Sequence, residues 1–104
     1  LTAMAEQPCV VVVNLWPKPG CVDDVVAIVE RELGEIRQAS GCEVYDLYRA
    51  VDDRVVLIER WSSRKHWQAH FATPAIERLK RDLTPVLERP AERVEMYLAS
   101  PAEE

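Results

Sequence analysis

The sequence predicts an α+β fold with the ferredoxin-like element order βαββαβ and a four-stranded antiparallel sheet. Three observations predict it: a valine-rich segment at residues 9–16, an amphipathic helical stripe at 22–40, and alternating segments at 42–51 and 54–61 that precede a second helical region and a last strand. Right-handed crossovers would place both helical regions on one side of the sheet.

Composition limits the function classes. The 104 residues carry 13 basic and 18 acidic side chains, a net charge of -5, which argues against a nucleic-acid partner. No apolar run approaches the roughly 18 residues of a membrane span, and no secretory signal is seen. We expect a polar lead-in at residues 1–8, one domain at 9–99 and an acidic tail at 100–104. Three cysteines without zinc-like spacing indicate reduced thiols and a cytoplasmic protein, namely Cys9, Cys21 and Cys42.

The first strand and helix follow from simple patterns. Four consecutive valines are typical of a strand covered on both faces, and Asn14 interrupts that run. A Pro-Lys-Pro-Gly segment then ends the strand. The helix at 22–40 carries an apolar stripe at i, i+3, i+4 and i+7 spacing. Gly41 is predicted to close it in the left-handed conformation.

The next two strands form a predicted hairpin around Asp52 and Asp53. In the second of them, Glu59 shares an apolar face with Leu57 and Trp61. A carboxylate in that position needs a hydrogen-bonding partner or a perturbed pKa.

The second helical region contains two helix starts. Ser62 or Ser63 can cap the first, and the Thr73-Pro74 pair starts the second. The aromatic residues and a histidine of the first helix fall on one inward face, at Trp67, His70 and Phe71. Proline 85 is predicted to end or kink the second helix, and residues 91–99 form the last strand.

With both helices on one side, the other face of the sheet has no cover within one chain. Valine-rich strands are not expected to leave such a face in water. The sequence therefore predicts a homodimer in which two sheets pack face to face around a two-fold axis.

Several short motifs then relate the chain to known proteins. In chain order they are Val-Val-Asn14, Lys18-Pro-Gly20, Gly41-Cys-Glu-Val-Tyr45, Glu59-Arg-Trp61-Ser-Ser, Ala69-His70 and Thr73-Pro74. With these motifs, residues 9–99 resemble the antibiotic biosynthesis monooxygenase family of dimeric α/β barrels. That family includes cofactor-free oxygenases of anthrones and quinols, but also isomerases and haem degraders, so the fold leaves the activity open.

The resemblance implies a monooxygenase site that uses dioxygen and no cofactor or metal. Such a site needs a base, a hydrogen-bond donor for an oxyanion, and a dry aromatic pocket. His70 suits the base, the Asn14 amide could donate to the oxyanion, and Trp61 offers an N–H donor and a flat wall. Further residues expected to contact a small aromatic substrate are Tyr45, Glu59, Trp67 and Phe71.

Each candidate also has a purely structural interpretation. Trp61 and Trp67 suit a hydrophobic core, and His70 could be a core histidine with satisfied hydrogen bonds. Asn14 could simply secure a strand end. Glu59 could orient the histidine or form a structural ion pair with an arginine of a neighbouring strand, Arg49 or Arg60.

Two other functions compete with the oxygenase: a non-catalytic dimeric barrel that binds a small ligand, and a cofactor-free isomerase. Metal binding by His66 and His70, four residues apart on a helix, would need a third ligand that the sequence does not offer. Haem degradation in related dimers uses a histidine further along the second helical region, where residues 77–81 contain none.

Overall fold

The computed structural model describes residues 7–100 of the chain. The predicted βαββαβ order is confirmed, with the second helical region divided into two helices. Most of the predicted lead-in and the acidic tail lie outside the described residues. The elements are β1 Cys9–Leu15, α1 Val22–Arg37, β2 Cys42–Arg49, β3 Val55–Trp61, α2 Arg64–His70, α3 Pro74–Leu83, a 3-10 turn Thr84–Val86, and β4 Glu92–Met96.

The four strands form one sheet in the order β2-β3-β1-β4. Each neighbouring pair is antiparallel, with Cys9 opposite Trp61 and Leu15 opposite Val55 in the central β1–β3 pair. This is the ferredoxin-like α+β fold that the sequence predicts. Within one chain the sheet is open and does not close into a barrel.

The helices cover one face of this sheet. Along β1 the side chains alternate between fully buried and half-buried, starting from the buried Cys9. Val11 and Val13 therefore face the helices, whereas Val10 and Val12 face the opposite side. The sequence predicts that β1 is covered on both faces, but within a single chain the helices cover only one of them.

Helices α1 and α3 pack on the sheet through apolar stripes and on each other through ion pairs, one of which involves a buried acid. Val25, Val29 and Ile36 of α1 are buried, as the periodicity predicts. On the same helix Glu32 is also buried, and Arg78 of α3 donates to its carboxylate at 2.8 Å. Pairing makes a buried carboxylate tolerable, so this contact fixes α3 beside α1.

The N-terminal caps of α2 and α3, one serine and one threonine, are as predicted. The Ser63 hydroxyl accepts from the His66 amide, and the Thr73 hydroxyl accepts from the Ile76 amide with Pro74 at the first position of α3. These caps satisfy amides that have no partner within the helix.

Several elements are shorter than predicted. Helix α1 ends at Arg37 rather than at residue 40, because the Gln38 and Ala39 amides bond to carbonyls three residues back and tighten the last turn. Strand β2 ends at Arg49 rather than at residue 51, because Ala50 already belongs to the hairpin turn. Strand β1 ends at residue 15 rather than 16, and β4 spans 92–96 rather than 91–99.

The sheet face opposite the helices is apolar and solvent-accessible in the single chain. Its exposed large apolar members on the strands are Tyr48 at 50%, Val94 at 43%, Met96 at 38% and Ile58 at 37%. We call the central apolar residues of this side the open sheet face: Val10, Val12, Val44, Val56, Ile58, Val94 and Met96.

Gly41 provides a test of the α1–β2 connection. Its φ is +82°, and a Cβ added there would overlap the His66 ring. Gly20 has nearly the same φ, +81°, but open space around the added Cβ. Gly20→Ala should therefore cost about 1 kcal/mol for the left-handed backbone alone. Gly41→Ala should cost about 1–3 kcal/mol more, because the ring must move.

Urea unfolding of both variants measures this difference. If Gly41→Ala is no less stable than Gly20→Ala, the His66 ring does not exclude a side chain at position 41. Adding His66→Ala to Gly41→Ala should restore most of the difference, because it removes the overlapping ring.

Candidate functional site

A cavity of about 450 Å³ lies between the helix-facing side of the sheet, α3, and the segment that leads from α3 to β4. Most of its wall is apolar, which suits a small organic ligand. The ionisable side chains that line it include Glu59 from β3, His70 from α2 and Arg93 from β4. The main apolar residues of the wall are Val13, Leu15, Leu57, Ile76, Leu79 and Leu83.

Glu59 is a buried acid in this wall. Only 3% of the residue is exposed, and the Trp61 indole Nε1–H donates to its Oε1 at 2.8 Å. Burial raises the pKa of Glu59 to about 7, although the Trp61 hydrogen bond and the positive charge of Arg93 both act to lower it. Glu59 is therefore about half ionised at neutral pH and can exchange a proton there.

Glu59 does not form the structural ion pair with Arg49 or Arg60 that the sequence allows. Arg49 pairs with Asp23 at 2.9 Å, and Arg60 pairs with Glu43 at 2.7 Å. Neither arginine reaches Glu59, because the side chains of residues 49 and 60 are committed to other carboxylates. The hydrogen-bonding partner that the sequence predicts Glu59 to need is the indole N–H of Trp61.

His70 is buried and oriented by the backbone. Its Nδ1 bonds to the Trp67 carbonyl oxygen. A carbonyl oxygen can only accept, so Nδ1 carries the proton and Nε2 keeps its lone pair. Burial lowers the pKa of His70, against the raising effect of the Trp67 hydrogen bond, so the ring is neutral at neutral pH.

Aromatic rings surround the histidine. The His70 ring centroid lies 4.5 Å from that of Trp61 and 4.4 Å from that of Phe71. Tyr45 approaches edge-on at 6.5 Å and lines the cavity. Burial raises the pKa of Tyr45 far above its usual value, so its hydroxyl stays protonated and can donate.

The two predicted tryptophans do not line the cavity. Trp61 is fully buried behind Glu59 and His70, and its indole N–H is already donated. Trp67 is half-buried and packs edge-on against Phe71 at 5.4 Å. Among residues 7–100, the buried Trp67 Nε1 has no hydrogen-bond partner. The structure thus puts both indoles beside the cavity wall rather than on its surface.

Asn14 lies on the other side of the sheet. Its side chain points away from the helices, because it alternates with the buried Val13 and Leu15. Arg54 donates to its Oδ1 at 2.7 Å, and its Nδ2 donates to Glu92 at 3.2 Å. Within one chain the structure does not bring Asn14 together with His70.

Sequence reasoning missed the cations of the cavity. Arg93 lies opposite the buried Val13 and so faces the helices, and Arg89 and Lys80 line the same cavity. A signal was available in the last strand, where alternation places Arg93 on the face opposite Val94 and Met96. Arg89 lies in a loop without periodicity, so only the folded chain could place it.

The second histidine does not line the cavity, because its ring contacts the two serines at the start of α2. The His66 Nδ1 lies 2.7 Å from the Ser63 hydroxyl and 3.1 Å from the Ser62 hydroxyl. Between residues 7 and 100, no three His, Cys, Asp or Glu side chains come together as a cation-binding group. In the same part of the chain, no helix is both long and apolar enough to cross a membrane.

An open ferredoxin-like sheet that encloses an apolar cavity with a few ionisable groups has the features of a small-molecule-binding α+β domain. Comparison with known sequences narrows this class. The family model described as "Antibiotic biosynthesis monooxygenase" matches residues 8–82. The chain belongs to that family.

Individual relatives agree with this assignment. The chain is 29% identical over 84 residues to the "Putative monooxygenase Rv0793" of Mycobacterium tuberculosis, which covers 80% of this chain and 83% of that protein. The structure of Rv0793 superposes with a TM-score of 0.82 at 26% identity, covering 94% of this chain and 98% of that chain. A Nitrosomonas europaea structure, a "Putative antibiotic biosynthesis monooxygenase", has the same fold, with a TM-score of 0.85 at 18% identity over 99% of this chain and 100% of that chain.

Proposed function

We propose that the chain is a cofactor-independent monooxygenase that oxidises a quinol, an anthrone or a related polycyclic aromatic inside the cavity. One observation carries the proposal: the apolar wall contains a neutral, oriented His70 and a buried Glu59 whose pKa of about 7 suits proton exchange. Membership of the monooxygenase family supports the same reaction class.

The proposed reaction needs only the substrate and dioxygen. A base removes a proton from the anthrone or quinol, and the resulting anion transfers one electron to dioxygen. In the anthrone case, the substrate radical and superoxide combine to form a C–O bond, and the protonated peroxide loses water to leave the quinone. Substrate and one dioxygen thus become quinone and one water, so the protein has only to move protons and exclude solvent.

The cavity residues take distinct roles in this scheme. His70 is the base, since its Nε2 lone pair is free and its ring is neutral. Glu59 takes or returns the second proton, and Tyr45 donates a hydrogen bond to the developing oxyanion. Trp61 acts as a positioning residue, because its N–H holds Glu59.

Asn14 has no place in this scheme within its own chain. Its amide is bound by Arg54 and Glu92 on the face that the helices leave open. We therefore assign it to the strand end, and the oxyanion donor role passes to Tyr45.

The proposal includes a homodimer formed through the open sheet face. The centre of that face is apolar, with Val12, Ile58 and Val94 in one row of the sheet. Charged residues border this centre: Arg60 lies between Val10 and Val44 in the next row, Asp46 lies beside Ile58, and Glu92 lies beside Asn14. A patch of this kind is typical of a subunit interface. Two open sheets packed in this way would complete the predicted dimeric α/β barrel.

Ile58→Glu should abolish this dimer, because it places a charge in the middle of the apolar patch. Sedimentation at micromolar concentration measures the change. Val51→Glu is a matched control, since Val51 is fully exposed in the hairpin turn outside the sheet. A wild-type protein that sediments at the mass of one chain contradicts the dimer.

We also place the reaction in the cytoplasm. The cysteines at positions 9, 21 and 42 are all free thiols, which suits a reducing compartment.

Oxygen consumption tests the function. The purified, metal-free and flavin-free protein is mixed with a panel of anthrones and hydroquinones, and uptake above the autoxidation rate is followed together with quinone formation. Saturable uptake supports the oxygenase. If ligands bind without any oxygen uptake, the proposal is wrong, and conversion of a ligand to an isomer or its unchanged recovery then separates the isomerase from the binding protein.

A further inference from the structure

The arginines of this chain divide into two groups. Eight of the ten have a carboxylate oxygen within 4 Å of a guanidinium nitrogen, namely Arg31, Arg37, Arg49, Arg54, Arg60, Arg64, Arg78 and Arg81. Within residues 7–100, Arg89 and Arg93 have no such partner. Both line the cavity. In a chain with net charge -5, the two arginines without carboxylates lie at the same site.

Aromatic rings hold these two guanidinium groups instead. The Arg89 guanidinium carbon lies 3.6 Å from the centroid of the Trp16 ring, and that of Arg93 lies 5.3 Å from the centroid of Phe71. Contact with a ring uses the face of a guanidinium group and leaves its in-plane N–H donors available. Side chains held in this way lose less freedom when they bind an anion.

Two of the nearby acids, Glu92 and Glu95, are bound elsewhere, and a third, Glu88, does not line the cavity. Glu92 faces the opposite side of the sheet, where it accepts from Asn14. Glu95 accepts from Arg64 at 2.7 Å and from the Tyr97 hydroxyl at 2.5 Å. The one acid that shares the cavity is Glu59, which is buried and accepts from Trp61. The exposed lining residues Lys80, Arg89 and Arg93 mark the mouth of the cavity, where these three cations outnumber the one acid of the lining.

We infer that the natural ligand of this cavity is an aromatic carboxylate, whose ring enters the apolar space while its carboxylate binds Arg93 and Arg89 at the mouth. Planar guanidinium groups with free in-plane donors match the two oxygens of a carboxylate. The aromatic character of the ligand rests on the proposed function, whereas recognition of the anion does not depend on any oxygen chemistry.

A carboxylate bound by Arg93 would also affect the proposed base, His70. Arg93 is one of the causes that lower the pKa of His70. A carboxylate bound at Arg93 would offset that charge and make His70 a better proton acceptor in the complex than in the free protein. Ligand recognition at the mouth and proton removal inside the cavity would then be coupled.

Binding of three matched ligand pairs tests the inference without turnover. The acids benzoate, 2-naphthoate and anthraquinone-2-carboxylate are each compared with their carboxamides by calorimetry. At the ring size that fits best, the acid should bind at least about tenfold more tightly than the amide, as a charge-assisted bidentate contact allows. Equal binding of acid and amide at every ring size, including no binding by either, overturns the inference.

Variants identify the arginines responsible. Arg93→Gln and Arg89→Gln should each reduce the advantage of the acid, and together they should remove it, while the affinity of the amide stays unchanged. Arg31→Gln removes the same charge from α1 outside the cavity and is the matched control. If it reduces the advantage as much as Arg93→Gln does, only the net charge matters and the proposed contact is wrong.

Failure of the proposed function gives a different result. If the protein binds the acids more tightly than the amides, loses this difference in Arg93→Gln and takes up no oxygen, the anion site is supported and the proposed oxygenase activity is wrong. If the protein takes up oxygen with equal kcat/KM for the acid and amide versions of one hydroquinone, the oxygenase activity is supported and the proposed anion site is wrong.

Discussion

His70→Ala is expected to lower kcat/KM for oxygen-dependent turnover by about 10²–10⁴-fold, the usual contribution of a positioned general base. The reason is the fixed tautomer: the Nδ1–H donates to the Trp67 carbonyl oxygen, and the Nε2 lone pair is left to accept a proton from the substrate. The measurement is initial oxygen uptake against substrate concentration, with the autoxidation rate subtracted. Sedimentation should show that the variant keeps the association state of the wild type.

His66→Ala is the matched control, because it removes the other histidine from the same helix. His66 contacts the Ser62 and Ser63 hydroxyls and does not line the cavity. It should therefore leave turnover near the wild-type rate. Full activity in His70→Ala would show that the base is another group.

The pH profile of kcat/KM distinguishes His70 from Glu59 as the base, since it reports groups of the free enzyme. A base must be deprotonated, so activity is lost as the pH falls through its pKa. With His70 as the base, this loss occurs below pH 6.5 and persists in Glu59→Gln. A loss centred near pH 7 that disappears in Glu59→Gln would assign the base to Glu59 instead.

Glu59→Gln is expected to change how stability depends on pH. Burial raises the folded-state pKa of Glu59 from 4.5 to about 7. Below pH 4.5 the acid is protonated in both the folded and unfolded states. Between pH 4.5 and 7 the unfolded chain releases this proton while the folded chain keeps it, so stability falls as the pH rises. The full difference corresponds to about 3 kcal/mol.

The measurement is the free energy of unfolding in urea at pH 4.5 and at pH 8, for the wild type and for Glu59→Gln. The lowered pKa of His70 acts in the opposite direction, because a neutral buried histidine stabilises the fold as the pH rises toward 6.5. The difference between the two proteins removes that contribution. Glutamine keeps an acceptor for the Trp61 N–H and does not ionise.

Glu59→Gln should therefore gain stability relative to the wild type as the pH rises, by about 3 kcal/mol between pH 4.5 and 8. A constant difference across this range would mean that Glu59 titrates normally in the folded chain. The scheme in which Glu59 exchanges a proton near neutral pH would then fail, while His70 could still act as the base.

Local patterns predicted the elements well, because they depend on neighbours in the chain. The stripe of α1 requires only 3.6-residue periodicity, and the caps at Ser63 and Thr73 require only a short polar side chain before a helix. The ends of α1, β2 and β4 were predicted too long, because fraying and turn hydrogen bonds depend on details that periodicity does not contain.

The candidate site was only partly predictable. Alternation placed Glu59 on a buried face, and helical spacing placed His70 inward, and both line the cavity. The same reasoning grouped Asn14 and Trp61 with them. The fold places Asn14 on the opposite face of the sheet and donates the Trp61 N–H to Glu59. Chemical capability is visible in a sequence, but the direction of a side chain and the partner it finds are not.

The sequence by itself determined the ferredoxin-like element order, the apolar face of each helix and strand, and two of the ionisable residues of the cavity wall, Glu59 and His70. Only the tertiary structure decided which groups meet there. Arg93 reaches the cavity because β4 pairs with β1, which lies more than 75 residues earlier in the chain. Such contacts depend on sheet register and on the path of the loop after α3, and neither follows from local periodicity.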